Sequence, residues 1–169
     1  MFLIEPQKPH HAADIEPLLD RAFGPNRHAK KSYAFRDGIA DIADLRFIAR
    51  EGRALVGTIR FWPIAIGPAL APALLLGPLG VEPGRQGEGI GAGLIHHGLG
   101  RARALGHTAC VLVGDLTYYG RFGFGPASAH DIAMPGEQDH RVLIRELQNG
   151  ALADVSGAIV KADGKAAAA

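Results

Sequence analysis

The chain has 169 residues, 47% apolar and 21% charged, which is enough to close one hydrophobic core. That excludes a disordered tail, a collagen and a disulfide miniprotein. Lys plus Arg is 18 against 17 Asp plus Glu, without the basic excess of a dedicated nucleic-acid binder, and the single cysteine, Cys110, excludes an internal disulfide or a cysteine zinc cluster.

Taken in order, the N-terminus has an apolar stretch only from Phe2 to Ile4, too short for a signal peptide. Ala12 to Phe23 places Ile15, Leu18, Leu19, Ala22 and Phe23 on one face of an amphipathic helix, stopped by Gly24-Pro25. A weaker helix is expected from Lys30 to Arg36. Leu45 to Glu51 reads as a strand, Gly52-Arg53 as a hairpin turn and Ala54 to Trp62 as its partner. Phe61 to Val81 carries no charge, but Pro63, Pro68, Pro72 and Pro78 and three glycines would break a membrane helix. We read it as two buried strands joined by a Gly-Pro turn, with no membrane span.

Leu74 to Val81 is an apolar run of strand length, covered on both faces. Ile90 to Leu105 reads as a helix ending at Gly106, and Thr108 to Val113 as another buried strand. Strand, glycine loop, helix and strand make a crossover unit with two parallel strands. Behind an antiparallel hairpin, this predicts an α/β fold with a mixed sheet. Gly125 to Arg141 is expected as loop, and Val142 to Leu147 with Val155 to Val160 as a closing pair of strands. One domain over 1–160 is followed by a loose tail over 161–169.

The most informative segment is the glycine loop, Pro83-Gly84-Arg85-Gln86-Gly87-Glu88-Gly89-Ile90-Gly91. Its glycines remove side chains from a turn that enters a helix, where unpaired N–H groups and a partial positive charge favour an anion. A phosphate or pyrophosphate fits this site, with Arg85 able to add a charge-assisted bond. A Walker A loop fails because no Gly-Lys-Ser/Thr follows. Gly87-x-Gly89-x-x-Ala92 matches the loose dinucleotide fingerprint. However, an antiparallel hairpin precedes it, and too little chain follows Asp115 for a second half-domain.

Gln86-x-x-Gly89-x-Gly91, after Leu79-Gly80-Val81-Glu82-Pro83, resembles motif A of the GNAT superfamily of acetyl-CoA-dependent N-acetyltransferases. Downstream, Tyr119-Gly120-Arg121-Phe122-Gly123-Phe124 resembles the Tyr-x-x-x-Gly-Phe signature of the same family. The resemblance implies acetyl-CoA as cosubstrate and no metal. Loop amides of Arg85, Gln86, Gly87, Glu88, Gly89, Ile90 and Gly91 would hold the pyrophosphate. The strand end Leu79, Gly80 and Val81 would pair with the pantetheine arm, with Tyr118 and Phe122 nearby. Tyr119 would be the general acid to the departing thiolate, and Tyr118 the fallback. A backbone N–H near Val81 would stabilise the oxyanion. The asparagine that many members carry upstream of this tyrosine is absent, and Asp115 is the nearest polar residue.

No general base stands out among Glu82, His96, His97, His130 and His140. Cys110 is expected to be buried and inert, and Trp62-Pro63 either lines an acceptor pocket or packs a core. The activity implied is acetyl transfer to a primary amine of a small molecule or peptide, in the cytoplasm, with the acceptor chosen by Arg27 to Asp37 and Ala127 to Arg141. A homodimer is compatible with this reading. The alternative is a domain that binds or senses an acyl-CoA without catalysis.

Overall fold

A computed structural model describes residues 1–167. Ala168 and Ala169, the end of the expected tail, lie outside the described residues. The architecture is a mixed sheet with helices on both faces. Its strands run β1 (Leu3–Pro6), β2 (Phe47–Glu51), β3 (Ala54–Ile66), β4 (Ala71–Val81), β5 (Ala109–Val113), β8 (Val142–Glu146) and β6 (Gly125–Pro126) in spatial order. Two further strands, β7 (Ile132–Ala133) and β9 (Gly157–Lys161), pair with each other, and β9 also pairs with the far end of β3. The three α-helices among the described residues are α1 (Ala12–Phe23), α2 (Ile90–Ala104) and the short α3 (Leu116–Tyr119). No helix among the described residues is long and apolar enough to cross a membrane.

The expected mixed sheet and crossover are present: β2, β3 and β4 are antiparallel neighbours, and β4 and β5 are parallel. Four details differ from the sequence reading. The chain opens with β1, too short and too mixed in polarity to stand out. The segment Lys31–Arg36 is a 3₁₀ helix. The expected loop of 125–141 contains β6 and β7. The two closing strands do not pair with each other: β8 joins β5, whereas β9 crosses to β3. Alternation reveals which face a strand buries but not which neighbour it takes. After β9, Lys161 N–H donates to Lys165 O at 2.9 Å, so this part of the chain closes into a turn.

Opposite pleats of the sheet receive opposite helices. Ile15, Leu18 and Leu19 of α1 pack with Ile48, whereas Phe47 and Ala49 belong to the core beneath α2, with Phe61, Leu94, Ile95 and Leu99. Burying each such side chain contributes about 1.5–3 kcal/mol. Both helices sit down on glycine. A Cβ on Gly80 would lie 2.8 Å from Leu19, so Gly80 lets α1 rest on β4. On α2, a Cβ on Gly98 would lie 2.6 Å from the Phe61 ring, so Gly98 admits that ring against the helix.

The site depends on how β4 leaves β5. Their pairing covers only Leu74–Cys110 and Leu75–Val111. Beyond it, β4 follows β3 while β5 follows β8. A bulge accompanies the parting: Ile59 faces Leu79 and Phe61 faces Leu76, so β4 carries one extra residue around Gly77-Pro78.

Gly98→Ala is expected to destabilise the protein. The Phe61 ring is fully buried and has no room to retreat. Overpacking of about 1–3 kcal/mol therefore outweighs the gain in helix propensity of about 1 kcal/mol. A urea midpoint equal to or above wild type would contradict this packing.

Candidate active site

The loop Glu82–Gly89 connects β4 to α2. Gly84, Gly87 and Gly89 have φ of +88°, +87° and +85°, the left-handed region where glycine carries no penalty. An added Cβ at any of the three would meet nothing within 4 Å, so the loop surface is open. The first backbone bond of α2 runs from Gly93 N–H to Gly89 O, leaving the N–H groups of Ile90, Gly91 and Ala92 without an intrahelical acceptor.

A cleft of about 480 Å³ lies against this loop. Leu79, Val81, Arg85, Gln86, Gly87, Gly89, Ile90, Gly91 and Tyr118 line it, so the structure brings most of the sequence-predicted residues together. Gly80, Glu88 and Phe122 stand back from it. Gly80 faces α1, Glu88 binds Arg85, and Phe122 is buried with its ring 5.1 Å from that of His96. Arg85 reaches the rim but is already engaged. Its Nε donates to Glu88 at 2.6 Å, its Nη1 lies 2.9 Å from Glu51, and its backbone N–H closes a turn onto Glu82 O. With that side chain and N–H engaged, the donors the loop has left are backbone N–H groups from Gln86 onward.

The sequence reading missed Ala22, Phe23, Ala92 and Arg121, which also line the cleft. Phe23 is exposed for a large apolar residue and sits at the open end of α1. Its helical spacing made it look like core. Arg121 stacks over Tyr118 at 4.5 Å, a contact that spacing of three residues along one turn could have suggested.

The parting of β4 and β5 opens a second cavity of about 330 Å³, shared by Leu76–Leu79, Leu112, Val113, Tyr119, Glu137 and Arg141, with Phe23 and Leu79 common to it and the first. Glu82 N–H bonds Val56 O, which makes Glu82 and Gly80 the residues bonded to β3. Alternation then turns the N–H and C=O of Leu79 and Val81 away from β3, toward the gap. Tyr119 lies along the opposite wall, its ring against Gly114. Burial pushes its phenol up to about 12, aided by neighbouring Tyr118 and Asp115, so it remains protonated at neutral pH. Asp115 itself points outward to Arg141 at 3.2 Å.

Of the other candidates, Glu82 is held by Arg21 through two bonds of 2.9 and 2.7 Å, which keeps its carboxyl below the usual range. His97 packs its ring 4.6 Å from Phe47, and His130 and His140 are exposed. Cys110 is fully buried, and burial pushes its thiol up, which leaves it inert. No group of three His, Cys, Asp or Glu residues suited to a metal occurs among the described residues.

A third cavity, of about 490 Å³, continues from the second through Lys30, Tyr33, Arg36 and Pro78. Trp62 lines it and donates its Nε1–H to Gly77 O at 2.7 Å. Of the two segments expected to face an acceptor, the first lines this cavity extensively. The second contributes Glu137 and Arg141 to the middle one.

Phenolate absorbance provides a check on Tyr119. Among the 3 tyrosines, one transition is expected near pH 12, and Tyr119→Phe should abolish it. Loss of a lower transition instead would contradict the burial of this ring.

Comparison with known proteins agrees with this geometry. Residues 4–127 match the family model described as an acetyltransferase (GNAT) domain. The chain is 30% identical over 161 residues to YhbS of Escherichia coli K12, named an uncharacterized N-acetyltransferase, covering 94% of this chain and 95% of that protein. It is 35% identical over 136 residues to YjhQ of the same strain, another uncharacterized N-acetyltransferase, covering 77% and 75%. The crystal structure of E. coli YhbS in complex with CoA superposes with a TM-score of 0.82 at 28% identity, over 95% of this chain and 89% of that one. A GNAT acetyltransferase from Brucella melitensis in complex with acetyl-CoA gives 0.62 at 38% identity, over 74% and 83%. Matched by family model, by relatives along nearly its whole length and by fold, the chain belongs to the GNAT family of acetyltransferases.

Proposed function

We propose that the protein transfers the acetyl group of acetyl-CoA directly to a primary amine, with Tyr119 as the general acid. The observation that carries this reading is the continuity of three features. A loop of open backbone N–H groups lines the cleft, the gap between β4 and β5 begins where that cleft ends, and a protonated tyrosine lies in the gap. The pyrophosphate of the coenzyme fits the amides of Gln86 to Gly91, and its pantetheine arm fits the outward backbone groups of Leu79 and Val81. Acetyl-CoA supplies an acetyl group activated as a thioester.

We assign the Leu79 N–H, two residues before the Val81 region expected from the sequence and turned into the gap, to the carbonyl oxygen that gains negative charge, where a preorganised donor lowers the barrier. Tyr119 gives its proton to the leaving thiolate. Its raised pKa keeps the phenol protonated at neutral pH, so a proton is available when sulfur departs. Glu137 is the carboxylate that shares this cavity, and it has no ion-pair partner among the described residues. We assign it to take the proton released by the amine, directly or through water. The Leu112 and Leu76 side chains keep the wall apolar.

Calorimetry with acetyl-CoA tests the coenzyme assignment. Wild type is expected to bind in the micromolar range, and Gly89→Val, which needs φ of +85°, to bind at least about 10-fold more weakly. Equal affinity in both proteins would remove the loop from the site. Acetyl-CoA binding without acetylation of any amine would identify a non-catalytic binding module instead.

Tyr119→Phe is expected to lower kcat about 100-fold, with acetyl-CoA affinity within about 3-fold of wild type. Because Tyr119 is half deprotonated only near pH 12, kcat should show no alkaline decline from this phenol below about pH 10. An unchanged kcat in the variant would exclude Tyr119 from the reaction.

A further inference from the structure

Arg36 is buried, with 9% of its surface exposed, and that remainder gives onto the second and third cavities, which it lines where they meet. Its Nε and Nη1 have no hydrogen-bond partner, and no carboxylate pairs with it among the described residues. Nearby cations differ: Arg27 is bound by Asp20 and Glu16, and Arg60 lies 3.8 Å from Glu16. The guanidinium is instead held between aromatic rings, 4.2 Å from Tyr33 and 5.4 Å from Trp62. Those rings orient the cation and the Tyr33 hydroxyl adds a polar contact, but Nε and Nη1 stay unpaired. Nε and Nη1 are themselves shut off from solvent, so the edge that meets the cavities is the one carrying Nη2, and because a buried charge without a counterion is costly, an anion reaching that edge would be strongly favoured.

The position of the guanidinium relative to the reaction centre limits what that anion can belong to. Arg36 Nη2 lies 2.9 Å from the point where a side chain on Gly77 would begin. Gly77 stands two residues before Leu79 across the bulge, at most about 7 Å away along the chain. An amine nitrogen attacking beside Leu79 would thus reach the guanidinium through a very short spacer. The surrounding charges are mixed: Lys30 lines both cavities, Arg141 lines the middle one but is paired with Asp115, and Glu137, Glu16 and Asp37 contribute carboxylates, so Arg36 is distinguished by its burial and lack of a partner.

We infer that Arg36 is the acceptor-recognition residue, and that the acceptor is a small amine carrying a carboxylate on the same or the next carbon, as in an α- or β-amino acid. This rests on the proposed acetyltransferase reaction and narrows its acceptor. Polyamines and protein N-termini lack a carboxylate at that spacing and leave the guanidinium unpaired.

Two measurements on the full chain test the inference. In the first, a panel of α- and β-amino acids is compared with the matching amides and decarboxylated amines by thiol release from acetyl-CoA. The carboxylates are expected to show kcat/KM at least about 100-fold higher, since an unmatched buried charge discriminates strongly. In the second, thermal unfolding of the CoA-saturated protein is followed with N-acetylated amino acids and with their amides. Only the carboxylates should raise Tm.

Arg36→Met is expected to bind acetyl-CoA within about 3-fold of wild type while its discrimination between carboxylate and amide falls below about 5-fold, and Arg36→Lys should restore part of it. If Arg36→Met does not fold, the two wild-type comparisons decide alone. Equal or better use of amides, no Tm difference between the two sets, or discrimination that survives in a folded Arg36→Met protein would each overturn the inference. Acetyl-CoA binding with no member of the panel acetylated overturns it too, and leaves the coenzyme site standing. Failure of wild type to bind acetyl-CoA instead overturns the reaction on which the inference depends.

Discussion

Two parallel strands that pair over two residues and then separate impose the constraint from which the site follows. Each strand keeps its outer neighbour, so the gap between β4 and β5 exposes backbone groups in the middle of a sheet rather than at its edge. Buried N–H and C=O groups require partners. A sheet that leaves them facing a cavity has formed a place for a molecule with complementary polar atoms along an extended arm. The bulge at Gly77-Pro78 also shifts the pleat by one residue. Leu79 and Val81 thereby turn their side chains to the α2 face and Gly80 to α1.

Around that gap, helices are placed by small residues rather than by large ones. Gly80 allows α1 to approach β4, which brings Phe23 to the mouth of the cleft. Gly57 lets Ile90 and Leu94 settle on β3, which aims the first turn of α2 at the same cleft. The positive end of α2 and the glycine loop then act together. The arginine within the loop is occupied by Glu51 and Glu88, so an anion there meets backbone dipoles. Such donors are held by the fold and need no side-chain ordering, which favours tight and uniform recognition of a group common to every turnover.

The far side of the gap is built differently. There, the lining is made of side chains: Tyr33 and Trp62 flank Arg36, and Glu137 and Arg141 arrive from a distant loop. Side chains are easily exchanged without disturbing the sheet. A family can therefore keep one coenzyme grip and vary the acceptor.

Much of this was legible in the chain itself. Apolar periodicity located α1, α2 and the central strands, and the density of glycine after β4 marked the loop, because only glycine adopts φ near +85° without strain. The pairing of Tyr119 with Gly123 and Phe124 located the aromatic cluster. Long-range pairing was not legible: β9 crossing to β3, the early end of the β4–β5 ladder and the bulge are set by packing between segments remote in sequence. The same holds for charge. Arg85 was expected to be available to an anion until Glu51 arrived from the hairpin, and nothing local set Arg36 apart within its segment until Trp62 and Gly77 closed over it. Local residue chemistry thus determined the elements and the glycine loop. Only tertiary packing decided which cations were neutralised and which one was left unpaired beside the cavities, since the energy of a charge depends on what surrounds it in space.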